Sequence, residues 1–392
     1  MMIMALAHHR VGNEEGCMII DIIAGARPNF MKIAPIIRAL ESRKASGGPL
    51  RYRLIHTGQH YDERMSGGFF TQLGIPAPHV NLAVGSGTQA EQTAAIMVRY
   101  ERLLLEDRSA ACLVVGDVTS TMACAIAAQK LGVPVAHVEA GIRSGDWSMP
   151  EEINRMVTDA ITNWFFTTSE VANDNLRRAG VDADRVFFVG NTMIDTLLAN
   201  LPRLRKPSFF DSMRLQAGEY FVVTLHRPAN VDQSLGLSRL LDAIEQGTRG
   251  LPVLFPVHPR TAKTLNELGG RSRSLHCVDP QPYLEFIYLV KHAKAVITDS
   301  GGITEEATIL GVPCMTLRDT TERPETVTMG TNELIGTDPE ALKPALDRLF
   351  EGEWKRGKHP EKWDGMAGER IVRELERLLE VHNPDGAGRN PG

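Results

Sequence analysis

An α/β fold of two domains, each built on a parallel sheet, is what this sequence predicts, and three observations carry the prediction. The chain has 392 residues, too many for one comfortable hydrophobic core, so two domains of about 150–200 residues are expected. Short apolar runs alternate with longer stretches of helical spacing, the pattern of βα units whose sheet is parallel and covered on both faces. Unusual polar residues stand at the ends of the apolar runs: Asp117, Glu139, His226, His258 and Ser300 each follow a predicted strand within a few positions. In open parallel sheets ligands bind outside the carboxyl ends of the strands, and five such placements form a pattern.

Taken in order, Met18–Ala24 reads as the first strand and Met31–Arg43 as the helix after it. Arg51–His56, Cys112–Val115, Pro134–Val138, Trp164–Thr167 and Val186–Val189 are the next strands. Gln89–Leu105, Ser120–Leu131 and Glu151–Asn163 have helical spacing between them. The pattern then restarts with strands at Tyr220–Leu225, Val253–Val257, Leu275–Val278, Ala295–Thr298 and Pro313–Leu317, and a last helix near Gly368–Val381 has no strand after it. The domains are therefore expected at 18–190 and 191–365, with an extension at 1–17 and a Pro/Gly/Asn-rich tail at 383–392.

Composition narrows the function classes. A formal net charge of −5 argues against nucleic acid, whose phosphates need a basic surface. An anionic ligand must then be met by local cations and backbone N–H groups. No apolar run reaches the length of a membrane span, and Met1–Ala7 lacks the basic flank of a signal peptide, so a cytoplasmic protein is expected. The five cysteines show none of the short spacings of zinc or redox sites and read as reduced and structural, with Cys112 and Cys314 inside apolar strand-like runs.

The motifs carry the chemistry. Gly25-Ala-Arg27-Pro28-Asn-Phe-Met-Lys32 turns sharply after the first strand and brings two cations to a helix start, where the dipole favours anions. It lacks the second and third glycines of a dinucleotide fingerprint, and a capped helix with solvated charges would look the same. Thr298-Asp299-Ser300-Gly301-Gly302 opens a helix with a glycine pair that lets a diphosphate approach backbone N–H groups. Glu306 lies deeper in that helix, where a carboxylate could accept from ribose hydroxyls. Asp117, Glu139 and Glu151 stand near strand ends, and together they suggest proton transfer by carboxylates of shifted pKa. Each alone is more often structural, and Glu151 or Glu152 after Pro150 also suits a helix start. Thr224-Leu-His226-Arg227 and Pro256-Val-His258 place an imidazole after two strands without the convergent ligands a metal needs. His226 is the preferred functional one, and no metal is expected.

Together these segments resemble the non-hydrolysing UDP-N-acetylglucosamine 2-epimerases. The likeness runs over nearly the whole chain, and its specific pieces are Val138-Glu139-Ala-Gly-Ile-Arg143, Pro150-Glu-Glu-Ile-Asn-Arg155, Gly190-Asn-Thr, Asp299-Ser-Gly-Gly302 and Arg318-Asp-Thr-Thr-Glu-Arg323-Pro-Glu325. It implies a GT-B fold, two Rossmann-like domains facing each other across a deep cleft, with the helix at 366–382 completing the first. It implies Asp117, Glu139, Glu151 and His226 as catalytic groups. Contacts to the nucleotide sugar are implied for Arg27, Lys32, Gln281, Phe286, Ser300, Gly301, Gly302, Glu306 and Arg323. No cofactor is implied, the partner is the UDP-sugar, and a homodimer is the expected assembly. Where regulated bacterial members carry Gln-His-Arg-Glu, this chain has Gln59-His60-Tyr61-Asp62, which resembles the archaeal-type branch, so effector activation does not follow. A sister group acting on UDP-diacetamido-glucuronate tends to have Trp-Val where this chain has Arg323-Pro324, which favours UDP-N-acetylglucosamine.

The resemblance also implies a reaction. C2–H of such a sugar is not acidic, so inversion needs either transient oxidation at C3 or expulsion of UDP from C1 with loss of the C2 proton. The missing dinucleotide fingerprint disfavours the first. The second needs cations for the departing diphosphate and carboxylates as acid and base. A UDP-sugar glycosyltransferase of the same fold and a non-catalytic UDP-sugar sensor are the competing classes.

Overall fold

The computed structural model describes residues 17–58, 70, 72–227, 234–257 and 274–382. Contacts divide the chain into two compact units, Met1–Ala199 with Glu361–Gly392, and Asn200–Pro360. The expected extension before Cys17, the tail at 383–392, the Gln59–Asp62 stretch and His258 lie outside the described residues.

Among the described residues the first unit holds seven strands: β1 (Met18–Ala24), β2 (Leu50–His56), β3 (Val80–Asn81), β4 (Ala111–Val115), β5 (Val135–Val138), β6 (Trp164–Thr167) and β7 (Val186–Phe188). Its helices are α1 (Arg27–Ala45), α2 (Gln89–Glu106), α3 (Thr119–Lys130), α4 (Pro150–Ile161), α5 (Glu170–Arg178) and α6 (Thr192–Asn200). The sheet order is β3-β2-β1-β4-β5-β6-β7, and its pairings are parallel, with Ile20 of β1 opposite Tyr52 and Ala111. Every residue of β4 is buried, as a strand covered on both faces must be. The order reverses between β1 and β4, so the loops after these two strands leave in opposite directions and open a crevice at their carboxyl ends.

The second unit repeats this winding. It contains β8 (Phe221–Thr224), β9 (Val253–Pro256), β10 (Leu275–Val278), β11 (Ala295–Thr298), β12 (Cys314–Thr316) and β13 (Asn332–Leu334). Its helices are α7 (Phe209–Ser212), α8 (Ser234–Gly247), α9 (Tyr283–His292), α10 (Gly301–Leu310), α11 (Pro324–Thr328) and α12 (Leu342–Phe350). The order β10-β9-β8-β11-β12-β13 puts its reversal between β8 and β11. Alternate residues feed two cores. Phe221, Val223, Phe255, Ile297 and Met315 pack with the α8 and α12 side, while Val222, Leu254, Val296 and Cys314 pack with the α9 and α10 side. This period of two is the strand geometry itself.

The closing helix, α13 (Ala367–His382), packs on α1 within the first unit. A Cβ at Gly368 would lie 2.7 Å from the carbonyl oxygen of Pro35, so only glycine permits that approach. Pro35 sits inside α1 and has no N–H to give the carbonyl of Met31. The Thr196 hydroxyl of α6 supplies a donor to that oxygen at 2.6 Å.

Most expected elements are present, with ends displaced by a residue or two. Two edge strands were not expected: β3 is only two residues long, and β13 reads Asn-Glu-Leu, too polar to register as a strand. Helix α1 starts at Arg27, earlier than its apolar spacing suggested. Pro28 is compatible with a first turn, and Asn29 accepts hydrogen bonds from the Gly25 and Ala26 N–H groups at 3.0 Å each.

Candidate active site

In the first unit the switch point is closed from both sides. Asn29 holds the loop after β1 and donates at 3.0 Å to the carbonyl of Val115, the last residue of β4. Gly116 and Asp117 follow. Gly116 has φ +66°, and a Cβ there would stand 2.7 Å from Lys32 Nζ and 3.5 Å from Glu139 Oε2. The reason is that Lys32, reaching from α1, forms a buried ion pair with Glu139 directly over this glycine. Glu139 stands immediately after β5 with φ +69°, a conformation that costs a side-chain-bearing residue about 1–2 kcal/mol. The Phe166 carbonyl fixes it, accepting from the Glu139 and Ala140 N–H groups at 3.0 and 3.2 Å. The strained backbone is thus held in place by its surroundings at a strand end.

Asp117 accepts from Arg155 Nε and Nη2 at 3.0 and 2.5 Å, and its carbonyl accepts from Asn154 at 2.8 Å. Arg155 also donates to Glu152 at 2.7 Å. Burial pushes Glu152 up, but the Ser144 and Gly145 N–H groups and Arg155 outweigh it and hold the acid below its usual range. Of the paired glutamates after Pro150, Glu152 is therefore the structural clasp. Glu151 is half-buried in the first turn of α4, and among the described residues no polar group meets it.

A second buried layer supports these loops. His137, inside β5, touches the Gly116 carbonyl and Asp159, each at 2.8 Å. Asp159 also accepts from Gly141 N–H at 3.1 Å and Arg143 at 2.6 Å. Burial raises Asp159, yet His137 and Arg143 overcome it and keep the acid ionised, below its usual range. Sequence reasoning passed over His137 and Asp159, although a histidine inside an apolar strand was a readable signal.

In the second unit the equivalent loops follow β8 and β11. Asp299 is fully buried and accepts from the backbone N–H groups of His226 and Arg227 at 3.0–3.2 Å, and its Oδ1 lies 2.7 Å from His226 Nδ1. The imidazole of His226 is itself 60% exposed, so Asp299 holds it from behind and leaves its other edge accessible. Asp299 was quoted in its motif but not chosen as a site residue; its place directly after β11 was the signal.

Ser300 precedes α10, and its side chain makes no capping hydrogen bond to that helix. Gly301 and Gly302 begin that helix, and Glu306 lies on its second turn, buried, accepting from the Tyr283 hydroxyl at 3.0 Å. Burial first, and the neighbouring Glu305 charge second, push Glu306 up to about 8 against the Tyr283 hydrogen bond. At neutral pH it is largely a neutral acid, able to donate as well as accept, where the sequence suggested a carboxylate. Arg323 is buried and ion-paired through Nε to Glu305 at 2.6 Å. Gln281 turns back to the Asp279 carbonyl at 2.7 Å, and Phe286 packs partly buried against the α9 and α10 core. The Arg27 side chain lies outside the described residues.

Residues 43–376 match the family model for UDP-N-acetylglucosamine 2-epimerase. The chain belongs to the UDP-N-acetylglucosamine 2-epimerase family. A curated epimerase of that name from Methanocaldococcus jannaschii is 42% identical over 369 residues, 91% of this chain and 99% of that protein. The Pseudomonas aeruginosa UDP-2,3-diacetamido-2,3-dideoxy-D-glucuronate 2-epimerase is 40% identical over 322 residues, 81% of this chain and 88% of that protein. The crystal structure of the Methanocaldococcus jannaschii enzyme with UDP-GlcNAc and UDP covers 92% of this chain and 100% of that one, with a TM-score of 0.82 at 42% identity. The Neisseria meningitidis epimerase bound to UDP-GlcNAc has a TM-score of 0.81 at 30% identity, covering 92% of this chain and 100% of that one. Family membership makes the chain an isomerase, and the α/β architecture of both units agrees with these structures.

Within that family frame, the first unit gathers Lys32, Asp117 and Glu139 around Gly116, with Glu151 on the α4 helix that carries Arg155. The second gathers Ser300, Gly301, Gly302, Glu306 and Arg323 around the start of α10, with His226 on the neighbouring loop.

Proposed function

We propose that the protein interconverts UDP-N-acetylglucosamine and UDP-N-acetylmannosamine by eliminating and re-adding UDP. The observation that carries this reading is the first-unit constellation: a strained Glu139 paired to Lys32, an Asp117 held by Arg155, and a half-buried Glu151 on the helix that carries Arg155. Three carboxylates in different surroundings are more than a single-base transferase needs. They suit a reaction in which one group removes a proton and another returns it.

In the forward step a base takes the C2 proton, the C2–H electrons form the C1–C2 double bond, and the C1–O electrons leave with UDP. The developing negative charge falls on the diphosphate, which the glycine-rich start of α10 and the cations of the second unit stabilise. In the return step a proton is delivered to the opposite face of C2, and UDP adds back to C1. Arg323-Pro324 favours UDP-N-acetylglucosamine over the diacetamido-glucuronate. The 40% identity to an enzyme named for the latter keeps that sugar as the second reading.

The test combines two labels. UDP-N-acetylglucosamine turned over in D₂O, with no addition, is expected to gain deuterium at C2. An ¹⁸O label in the C1–O–P bridge is expected to scramble into non-bridging β-phosphate positions. Epimerisation with the bridge label retained would refute elimination, and turnover of only the diacetamido-glucuronate would select the second reading. Asp117→Asn, Glu139→Gln and Glu151→Gln are each expected to slow turnover by orders of magnitude while UDP binding persists.

A further inference from the structure

The start of α10 holds one cation that the family resemblance does not place in the site. Arg318 follows β12 and is 4% exposed. Its Nη2 lies 2.7 Å from Glu322 Oε2. Its Nη1 has no hydrogen-bond partner among the described residues. Nη1 points to the first residue of α10, 4.0 Å from where a Gly301 Cβ would stand, and Glu322 Oε1 is 3.0 Å from the same point. The first N–H groups of a helix have no intrahelical acceptor, and among the described residues none is met by a side chain at Gly301 or Gly302. A buried guanidinium with an unfilled donor beside unfilled backbone donors is an expensive arrangement unless an anion completes it.

We propose that Arg318 is a ligand-binding residue whose Nη1, with the Gly301 and Gly302 N–H groups, seats a phosphate of the nucleotide. Glu322 is its positioning partner: it neutralises one side of the guanidinium and leaves the other toward the helix. Burial alone would raise Glu322, but Arg318, then Arg323, hold it at about 2, so it stays a carboxylate throughout the working pH range. The two arginines differ in what holds them: Arg323 pairs through Nε with Glu305 of α10, and Arg318 pairs with Glu322 of its own loop. A methyl group at Gly301 would stand 3.0 Å from the carboxylate that aims the Arg318 tip.

The inference rests on UDP as the ligand, so its test separates the two. UDP and uridine are titrated against the full chain, the Arg318→Met variant and the Arg318→Lys variant, with thermal melting as the folding check. Loss of a hydrogen-bonded charge contact is expected to weaken UDP about 10- to 150-fold in Arg318→Met, with uridine affinity unchanged. Lysine cannot serve Glu322 and the phosphate at once, so Arg318→Lys is expected to lose UDP affinity at least several-fold. It retains the charge that the buried loop needs, and it decides the matter if the methionine variant does not fold. UDP affinity unchanged in a folded variant, or UDP and uridine weakened equally, overturns the proposal. A wild-type chain that binds no UDP refutes the underlying function instead.

Discussion

Replacing Gly116 by alanine tests whether the Lys32–Glu139 pair over this glycine organises the active site. The new methyl would stand 2.7 Å from Lys32 Nζ, against an ordinary contact distance of about 3.5–4.0 Å, so the ammonium must retreat by about 1 Å. Two costs add. Alanine at φ +66° costs about 1–2 kcal/mol. Loosening a buried ion pair costs part of the roughly 3–5 kcal/mol of losing one partner altogether, and about half of that is a reasonable share for a flexible side chain. The expected destabilisation is therefore about 3–4 kcal/mol. Gly180 provides the control: it has φ +82°, and nothing lies within 4 Å of its Cβ position, so Gly180→Ala carries the backbone cost alone. Urea unfolding of both variants, with epimerase rates, makes the comparison. Gly116→Ala should exceed Gly180→Ala by about 2 kcal/mol and lose most of its activity, while Gly180→Ala remains active. Equal destabilisation with equal activity would show that Lys32 moves aside freely and that the pair does not shape the site.

Two further expectations concern the first unit. Burial pushes Asp195 from 3.8 up to about 6, although the Gly368 and Ala367 N–H groups partly oppose it. The folded state then holds a proton that the unfolded chain releases, so stability falls as pH rises through that interval, by about 3 kcal/mol in all. Asp195→Asn should remove this slope, and denaturation profiles that stay parallel across the interval would contradict the assignment. Thr196→Val deletes the donor to the Met31 carbonyl that Pro35 cannot serve. It is expected to cost about 1–3 kcal/mol in chemical denaturation, and a neutral result would mean that the carbonyl finds another donor.

The sequence by itself determined the α/β class, the order of nearly all strands and the concentration of polar residues at strand ends. It could do so because buried parallel strands require uninterrupted apolar runs, and because a glycine or acid directly after such a run is conspicuous. Tertiary structure decided which of those polar residues meet. Glu151 and Glu152 are indistinguishable as adjacent letters after Pro150. The return of the chain at Ser144 and Gly145 makes Glu152 the clasp and leaves Glu151 unengaged among the described residues. His226 and its support, Asp299, come from strands far apart in sequence but adjacent in the sheet, so no local spacing could pair them. Arg318 and Arg323 read alike in one motif; only the tertiary structure shows that the first pairs with Glu322 of its own loop and the second with Glu305 of α10. Glu306 was legible as a polar residue inside a helix. Its neutral state was not, since that depends on the desolvation produced by side chains packed from other elements.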